Sequence, residues 1–215
     1  MAQAHIDHIV VAASTLEQGV EYIKGCLGVA PGGGGKHVNQ GTHNKVLKLD
    51  KERYLEVIAI DPEGGKPCFP RWFNLDSEHL QNELKIKPRL ITWVARTDDI
   101  DTLVRQCPIS LGKIYPMSRG QLNWKITLTE DGSMPGGGVI PPLITWETVS
   151  HPTAGMDNSG CSLLTLEVFH TDPEYITGVL QSLGLENDIT INRAPHEIDI
   201  GIRAHIRTPG GIRIL

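Results

Sequence analysis

The clearest hydrophobic pattern lies at the start of the chain. Residues 5–13 are rich in Ile and Val and predict a strand. The sequence from Ser14 to Glu17 has the spacing of a capping box, which predicts that a helix begins there. The apolar positions that follow recur at steps of three and four residues and form one stripe: Leu16, Val20, Ile23 and Leu27. Gly28 is a typical helix end.

Glycine-rich and polar intervals divide the next part of the chain. The glycines at 32–35 have no Lys-Ser or Lys-Thr after them, so they predict a flexible connector and not a phosphate loop. Residues 41–49 and 53–60 predict two strands, and the polar interval at 50–52 has the length of a hairpin turn. Residues 1–61 therefore predict a module of one strand, one helix and at least two further strands.

The same order of elements recurs twice, more loosely. Within 88–150, strands are predicted at 90–96, 122–128 and 139–147, with a short helix after Thr97 that Pro108 ends. Within 160–215, a strand at 163–169 precedes a helix that starts near Pro173, and closing strands follow at 200–206 and 210–215. We interpret the chain as three degenerate modules that together form one domain.

Composition narrows the function classes. The chain has 215 residues, of which 40% are hydrophobic and 21% charged, as in soluble globular proteins. No apolar run approaches the length of about 20 residues that a membrane helix needs. Its net charge is −5 and no basic run exceeds two residues, so neither a membrane nor a nucleic acid is an expected partner. The amino terminus lacks the pattern of a secretory signal, which predicts a cytoplasmic protein.

Familiar catalytic and metal motifs are missing from the sequence. The four cysteines are scattered without a Cys-x-x-Cys pair and are interpreted as reduced, packed thiols: Cys26, Cys68, Cys107 and Cys161. No Gly-x-Ser-x-Gly elbow, Walker sequence or dinucleotide glycine fingerprint occurs, which disfavours serine hydrolysis, NTP hydrolysis and nicotinamide chemistry. A small-molecule ligand is the expected partner.

Glu56 is the most informative single residue. It lies in the otherwise apolar segment 54–58, where an unpaired carboxylate costs several kcal/mol to desolvate. It must therefore be protonated, hydrogen-bonded or bound to a cation. His8, in the first strand, offers an imidazole, and imidazole with carboxylate suits Zn, Fe, Mn or Ni. The alternative for His8 is a hydrogen-bonded histidine that fills the core.

Several further residues are candidates for a ligand cleft. His43 starts the strand that forms a hairpin with the strand of Glu56, so it is a candidate metal ligand or catalytic residue, and Asn44 and His37 are candidate substrate contacts. Arg119, which we place in a turn, is a candidate clamp for a carboxylate or oxyanion. An aromatic wall is predicted from three residues of the second module: Trp93, Trp124 and Trp146. His151 is a candidate proton donor or acceptor at the cleft edge. Each of these side chains also has an ordinary structural alternative, in the core, in a turn or in solvent.

Taken together, these segments resemble the glyoxalase-like domain family of the vicinal oxygen chelate superfamily. The resemblance rests on residues 6–12, the helix end at Leu27 and Gly28, and residues 41–44 and 54–58, with support from 117–119, Trp124, Trp146 and 151–152. It implies an α+β fold of paired βαβββ modules, whose mixed sheets curl around a cleft, with a degenerate third repeat. It also implies a divalent metal held by the first and last strands of a module, which correspond to His8 and Glu56.

The sequence departs from the family pattern in the other two modules. Ile91 or Thr92 stands where the second module would have its imidazole, and only Glu147 is a possible ligand near the position of Glu56. In the third module the corresponding residues are Leu164 and Arg213. A four-ligand site is therefore not visible. Either His8, Glu56 and one of His43 and Glu147 hold the metal, or no metal binds.

Two functions are compatible with this pattern. The first is a metal-dependent enzyme of the vicinal oxygen chelate type, with isomerase, lyase or dioxygenase chemistry on a small organic substrate, and with Glu56, His43 and His151 as the catalytic residues. The second is a non-catalytic protein of the same fold that binds or sequesters a small molecule. A homodimer is a possible assembly.

Overall fold

In a computed structural model of the protein, residues 2–67, 69–148 and 150–215 are described. The first module contains one helix and four strands: β1 (His5–Ala12), α1 (Leu16–Leu27), β2 (Gly32–His37), β3 (Thr42–Lys48) and β4 (Tyr54–Ile60). The helix begins one residue later than the capping box predicts, because Thr15 is the N-cap and its side chain accepts from the Gln18 N–H. Gly28 ends it in the left-handed conformation, as expected.

The glycine run is a strand and not a flexible connector. β2 pairs antiparallel with β3 through residues 35–37, after a bulge that separates Gly32 from Gly35. The sequence-based expectation was wrong because glycine has a low intrinsic strand preference, which the neighbouring strand overrides here. The bulge is important for the candidate site described below, because the backbone of Gly32–Gly34, which has no side chains, lines a cleft there.

The second module has the same order of elements, preceded by a helix in the connector. Its elements are α2 (Glu78–Ile86), β5 (Arg89–Arg96), α3 (Ile100–Gln106), β6 (Lys113–Arg119), β7 (Leu122–Leu128) and β8 (Leu143–Trp146). β8 is shorter than predicted because Pro141 and Pro142 supply no backbone N–H to a ladder. The sequence analysis missed β6, which contains Pro116 and is an edge strand.

The first two modules share one sheet of eight strands. Its strand order is β2-β3-β4-β1-β5-β8-β7-β6, so the two modules join along the antiparallel pair β1 and β5. The sheet curls until its two edge strands approach each other, and Arg119 at the end of β6 reaches His37 at the end of β2. The curled sheet encloses the candidate site.

Two hydrophobic clusters cover the two faces of this sheet. On the outer face, Ile9, Val57 and Trp93 pack with α1 and with the third module. On the inner face, Val10 and Ile58 pack with the aromatic and aliphatic residues of the second module. Only candidate residues whose side chains lie on the inner face of the sheet can contact one another in the cleft.

The third module forms a separate sheet of four strands. Its elements are β9 (Ser162–His170), α4 (Pro173–Ser182), β10 (Ile189–Arg193), β11 (Gly201–Thr208) and β12 (Gly211–Ile214). The strand order is β10-β9-β11-β12, with β9 parallel to β10, whereas in the first module the first strand lies parallel to the last. The predicted division at 1–61, 88–150 and 160–215 stays a prediction.

Two remaining expectations concern thiols and membranes. Cys26, Cys107 and Cys161 are free thiols, while Cys68 lies outside the described residues. Among the helices of the described part, none is long and apolar enough to cross a bilayer.

Candidate functional site

A β-bulge in β1 creates the centre of the site. In the antiparallel pairing with β5, Ile6 opposes Ala95 and His8 opposes Val94, so Asp7 is an extra residue. Ile6 and Ile9 both pack in the outer cluster. The extra residue lets Asp7 and His8 both turn toward the inside, which a regular strand does not allow.

Asp7 is the hub of a buried hydrogen-bond network that the sequence analysis missed. Its Oδ1 accepts from His8 Nδ1 at 2.5 Å, and its Oδ2 accepts from Trp146 Nε1 at 2.9 Å and from His151 Nε2 at 3.0 Å. Burial raises the pKa of Asp7, but the hydrogen bonds from His151 and His8 outweigh it and hold that pKa well below its usual range. The sequence does carry a signal for Asp7, because it is a single carboxylate in an apolar strand, as Glu56 is.

His8 and Glu56 meet on the inner face. Because His8 donates its Nδ1–H to Asp7, its Nε2 points to Glu56 Oε2 at 3.7 Å. The Tyr54 ring stacks on the His8 ring with centroids 4.5 Å apart. The other Glu56 oxygen, Oε1, accepts from Asn44 Nδ2 at 2.5 Å. Asp7 and Tyr54 thus fix the His8 ring, and Asn44 fixes the Glu56 carboxylate. None of these contacts uses the two atoms that face each other, His8 Nε2 and Glu56 Oε2.

Asn44 connects this pair to His37 on β2. Its Oδ1 accepts from the Gly35 N–H at 2.9 Å, so its amide donates both to Glu56 and toward His37 Nε2. Arg119 Nη1 approaches the same His37 nitrogen at 3.3 Å. With two donors facing Nε2, His37 is an unprotonated acceptor there and a neutral imidazole.

The buried position of His37 predicts a pH-dependent stability. Burial lowers its pKa from 6.5 to about 4; Glu56 opposes this shift, while Arg119, His8 and His43 add to it. Between pH 6.5 and 4 the unfolded chain gains a proton that the native state does not, so the free energy of unfolding falls as the pH falls. We expect this single group to contribute up to about 3 kcal/mol over that window.

Urea unfolding of wild type and His37→Gln from pH 7 to 4 measures this contribution. The variant should lose less of its remaining stability on acidification than wild type. His79→Gln is the matched control, because the His79 side chain is 87% exposed, and it should keep the wild-type slope. Equal slopes for wild type and His37→Gln would show that His37 does not stay neutral in the fold.

The predicted aromatic wall is present only in part. Trp124 and Trp146 line a small cavity with Ile126 and Ile144, opposite His8 and Glu56. Trp93 was placed wrongly: it pairs across from Ile9 on the outer face, is fully buried and donates to the Val139 carbonyl at 2.9 Å. The cavity measures about 20 Å³, which admits one water molecule or one ion.

Two proposed metal ligands lie elsewhere. His43 pairs with Ala59 and so shares the outer face, whereas Glu56 and Asn44 share the inner one. The alternation of side chains along β3 therefore directs His43 away from the cavity. Glu147 forms a surface ion pair with Lys125 at 3.0 Å, with its side chain 43% exposed. Neither residue completes a site with His8.

His151 does not line the small cavity, but its ring packs edge-on to the ring of Trp146, which does. It contacts Asp7 through Nε2, and its Nδ1 accepts from the Thr153 N–H at the start of a 3₁₀ turn. Lys48 Nζ donates to the Thr153 carbonyl at 2.8 Å, which fixes the same segment to β3. His151 therefore anchors the chain between the second and third modules to the buried network.

A larger cleft adjoins the small cavity. It has a volume of about 370 Å³ and lies between the glycines of β2, the end of β3 and the segment 152–159. Arg119 lines both the cleft and the cavity, and therefore stands at the boundary between them. It is the last residue of β6 and not a turn residue as predicted. The cleft is within the size range of small-molecule sites.

Comparison with known proteins identifies this architecture. Residues 6–184 match the family model described as a glyoxalase-like domain. The chain belongs to the glyoxalase-like domain family. The resemblance to this family seen in the sequence is thereby confirmed. A comparison with the curated proteins finds no match.

Several solved structures are similar to this chain at low sequence identity. A hypothetical protein from Staphylococcus aureus is 15% identical with a TM-score of 0.57, over 85% of this chain and 75% of that one. Methylmalonyl-CoA epimerase from Streptomyces coelicolor is 18% identical with a TM-score of 0.45, over 70% and 99%. The epimerase from Mycobacterium tuberculosis is 17% identical with a TM-score of 0.41, over 66% and 85%. The first of these supports the fold, and only the fold.

The donor set of this glyoxalase-like protein fits a divalent metal at two positions. His8 Nε2 and Glu56 Oε2 are both acceptors, both are buried, and the 3.7 Å between them suits two ligands of one ion. Asp7 and Asn44 orient them in the way that outer-shell partners orient metal ligands. Among the described residues, no group of three or more His, Cys, Asp and Glu side chains is arranged to hold an ion. His8 and Glu56 are therefore the two candidate ligands in the described part of the chain, and water or substrate oxygens would fill the remaining positions of an ion bound there.

Proposed function

We propose that this glyoxalase-like protein is a metal-dependent enzyme of the vicinal oxygen chelate type. The observation that supports this best is the convergence of His8 Nε2 and Glu56 Oε2 on one small cavity. Two buried acceptors at this distance need a cation or a proton between them. A divalent ion bound there would supply Lewis-acid stabilisation to adjacent oxygens of a small organic substrate.

The residues of the chain have separate tasks in this proposal. His8 and Glu56 would bind the metal, and Asp7 and Asn44 would fix the ring and the carboxylate in the orientation for it. Trp124 and Trp146 would keep the second side of the cavity free of bulk water. His151 would act as a positioning residue through Asp7 and not as a proton donor to substrate. The proposal covers isomerase, lyase and dioxygenase chemistry, which share the chelation of two neighbouring oxygens.

Metal binding by the purified protein tests the proposal. We expect tag-free, metal-stripped wild type to bind one equivalent of Mn, Fe, Ni or Zn in a competition assay with a fluorescent chelator. His8→Gln and Glu56→Gln should each weaken that binding by about 100-fold or more, since each removes one of two protein ligands. His79→Gln and Glu186→Gln change exposed residues and should bind as wild type does.

Two results of the metal-binding assay would contradict the proposed site. If His8→Gln and Glu56→Gln, with wild-type circular dichroism, bind metal as tightly as wild type, the metal site lies elsewhere. If wild type itself binds none of the four ions, the enzyme proposal loses its basis.

A second candidate function follows from the apolar half of the cavity. The second module lines the other side of the cavity with Trp124, Ile126, Ile144 and Trp146, and none of these side chains is a metal ligand. A non-catalytic protein that sequesters a small molecule would need only an apolar cavity wall and the adjoining cleft, and no metal ligands. It is favoured if wild type binds apolar ligands in the cleft but no divalent ion.

A further inference from the structure

Arg119 occupies an unusual position in the molecule. It ends the edge strand β6, and its aliphatic part lies where a side chain at position 35 would be, with Cδ 3.1 Å from an ideal Cβ on Gly35. The absence of a side chain at Gly35 lets the guanidinium reach between the two edges of the curled sheet. It faces the cleft on one side and the small cavity on the other.

The other half-buried arginines all pair with carboxylates of the chain. Three such pairs are present: Arg53 with Asp50, Arg71 with Asp76, and Arg96 with Glu52. Within the described residues, Arg119 has no carboxylate within 4 Å, and its polar partner is His37 Nε2 at 3.3 Å. Arg119 is therefore the half-buried arginine of the described residues that lacks an anionic partner.

His37 does not compensate for that charge. It is neutral, because burial lowers its pKa to about 4, and its lone pair takes one of the five N–H donors of the guanidinium. The remaining donors form a planar fork that matches the two oxygens of a carboxylate. A cation removed from bulk water without a counter-charge is unfavourable, so the site favours an anionic ligand.

The cleft beside Arg119 sets the size of that ligand. Its wall at Gly32–Gly34 is bare backbone, and its volume of about 370 Å³ suits a small metabolite. The charged residues of the lining are Lys48, Arg119 and Asp157, which sum to +1. Lys48 donates to the Thr153 carbonyl, and no carboxylate of the described residues lies within 4 Å of its ammonium group, which adds to the preference for an anion.

We propose that the substrate is a small organic acid whose carboxylate binds Arg119 at the boundary of cleft and cavity. The inference deepens the proposed function and rests on it for the statement that the ligand is a substrate. The binding of the carboxylate itself requires no metal. The two proposals can therefore be tested separately on one preparation.

The test uses malonate as the probe on metal-stripped, ¹⁵N-labelled protein. We expect saturable shifts in the amide signals of Gly32–Gly34, and no shifts with malonamide, which has the same shape without charge. Arg119→Gln should weaken malonate binding by at least tenfold, because it removes charge-assisted hydrogen bonds. Arg119→Lys, which keeps the charge but not the fork, should bind with intermediate affinity. Arg105→Gln, in an exposed position on α3, should bind as wild type does.

Phosphate provides the second arm, because the guanidinium fork also matches phosphate oxygens. Weaker binding of phosphate than of malonate supports the carboxylate, and tighter binding of phosphate overturns it. The inference also fails if malonate does not bind, or if Arg119→Gln with a wild-type spectrum binds malonate unchanged. If malonate binding depends on Arg119 while metal binding is indifferent to His8 and Glu56, only the proposed metal function fails.

Discussion

Replacing Asp7 by Asn is expected to cost about 3–5 kcal/mol of unfolding free energy. The Asp7 carboxylate is fully buried and accepts from three donors, on His8, Trp146 and His151. An Asn side chain has only one oxygen acceptor. Its NH₂ group would replace the other carboxylate oxygen and would face either the N–H of His8 or the N–H groups of Trp146 and His151. The same change should weaken divalent-metal binding by about 10–100-fold, because His8 loses the partner that fixes its ring.

Chemical denaturation and the chelator competition assay measure both effects on one preparation. Asp98→Asn, at an exposed position before α3, is the matched control and should be close to neutral in both. A loss of stability below about 1 kcal/mol for Asp7→Asn would show that the buried network contributes little. Wild-type metal affinity in that variant would show that His8 is not a ligand held by Asp7.

Replacing Gly34 by Ala is expected to cost about 4 kcal/mol or more. Gly34 has φ = +82°, which L side chains rarely adopt, and an added Cβ would lie 2.0 Å from the Asn44 backbone oxygen. That oxygen belongs to the neighbouring strand and cannot move without breaking the β2–β3 pairing. The same Cβ would approach the Asn44 Oδ1, so the residue that orients Glu56 would be displaced as well.

Gly32→Ala is the matched control on the same strand. An added Cβ there meets nothing within 4 Å, and the change should alter the unfolding free energy by less than about 1 kcal/mol. Urea unfolding of the two variants gives the difference directly. Similar stabilities for both would mean that the bulge at the glycine run does not approach Asn44 as described.

The elements with strong periodicity were predictable from the sequence. The apolar run at 5–13, the stripe ending at Leu27 and the hairpin at 50–52 all match observed elements, because local preference and tertiary packing agree there. The apolar neighbours of Glu56 also predicted that its carboxylate needs a partner, and the resemblance to the family placed it beside His8. For the strands and the helix, the signal needed only the alternation or helical period of one segment.

The missed features depend on pairing between strands. Whether the glycine run forms β2 is decided by β3, and whether Asp7 points inward is decided by a register shift against β5. His43 was assigned to the site from its distance along the hairpin, but its parity places it on the other face. Trp93 was placed wrongly for the same reason, since a strand buried on both faces gives no alternation from which to assign a side.

The most direct test of the proposed metal centre is anomalous X-ray scattering from crystals soaked with Mn²⁺. We expect a single strong anomalous peak inside the small cavity, within about 2.0–2.3 Å of both His8 Nε2 and Glu56 Oε2. A peak at any other place, or an empty cavity in which His8 donates directly to Glu56 at saturating Mn²⁺, would contradict the proposed centre.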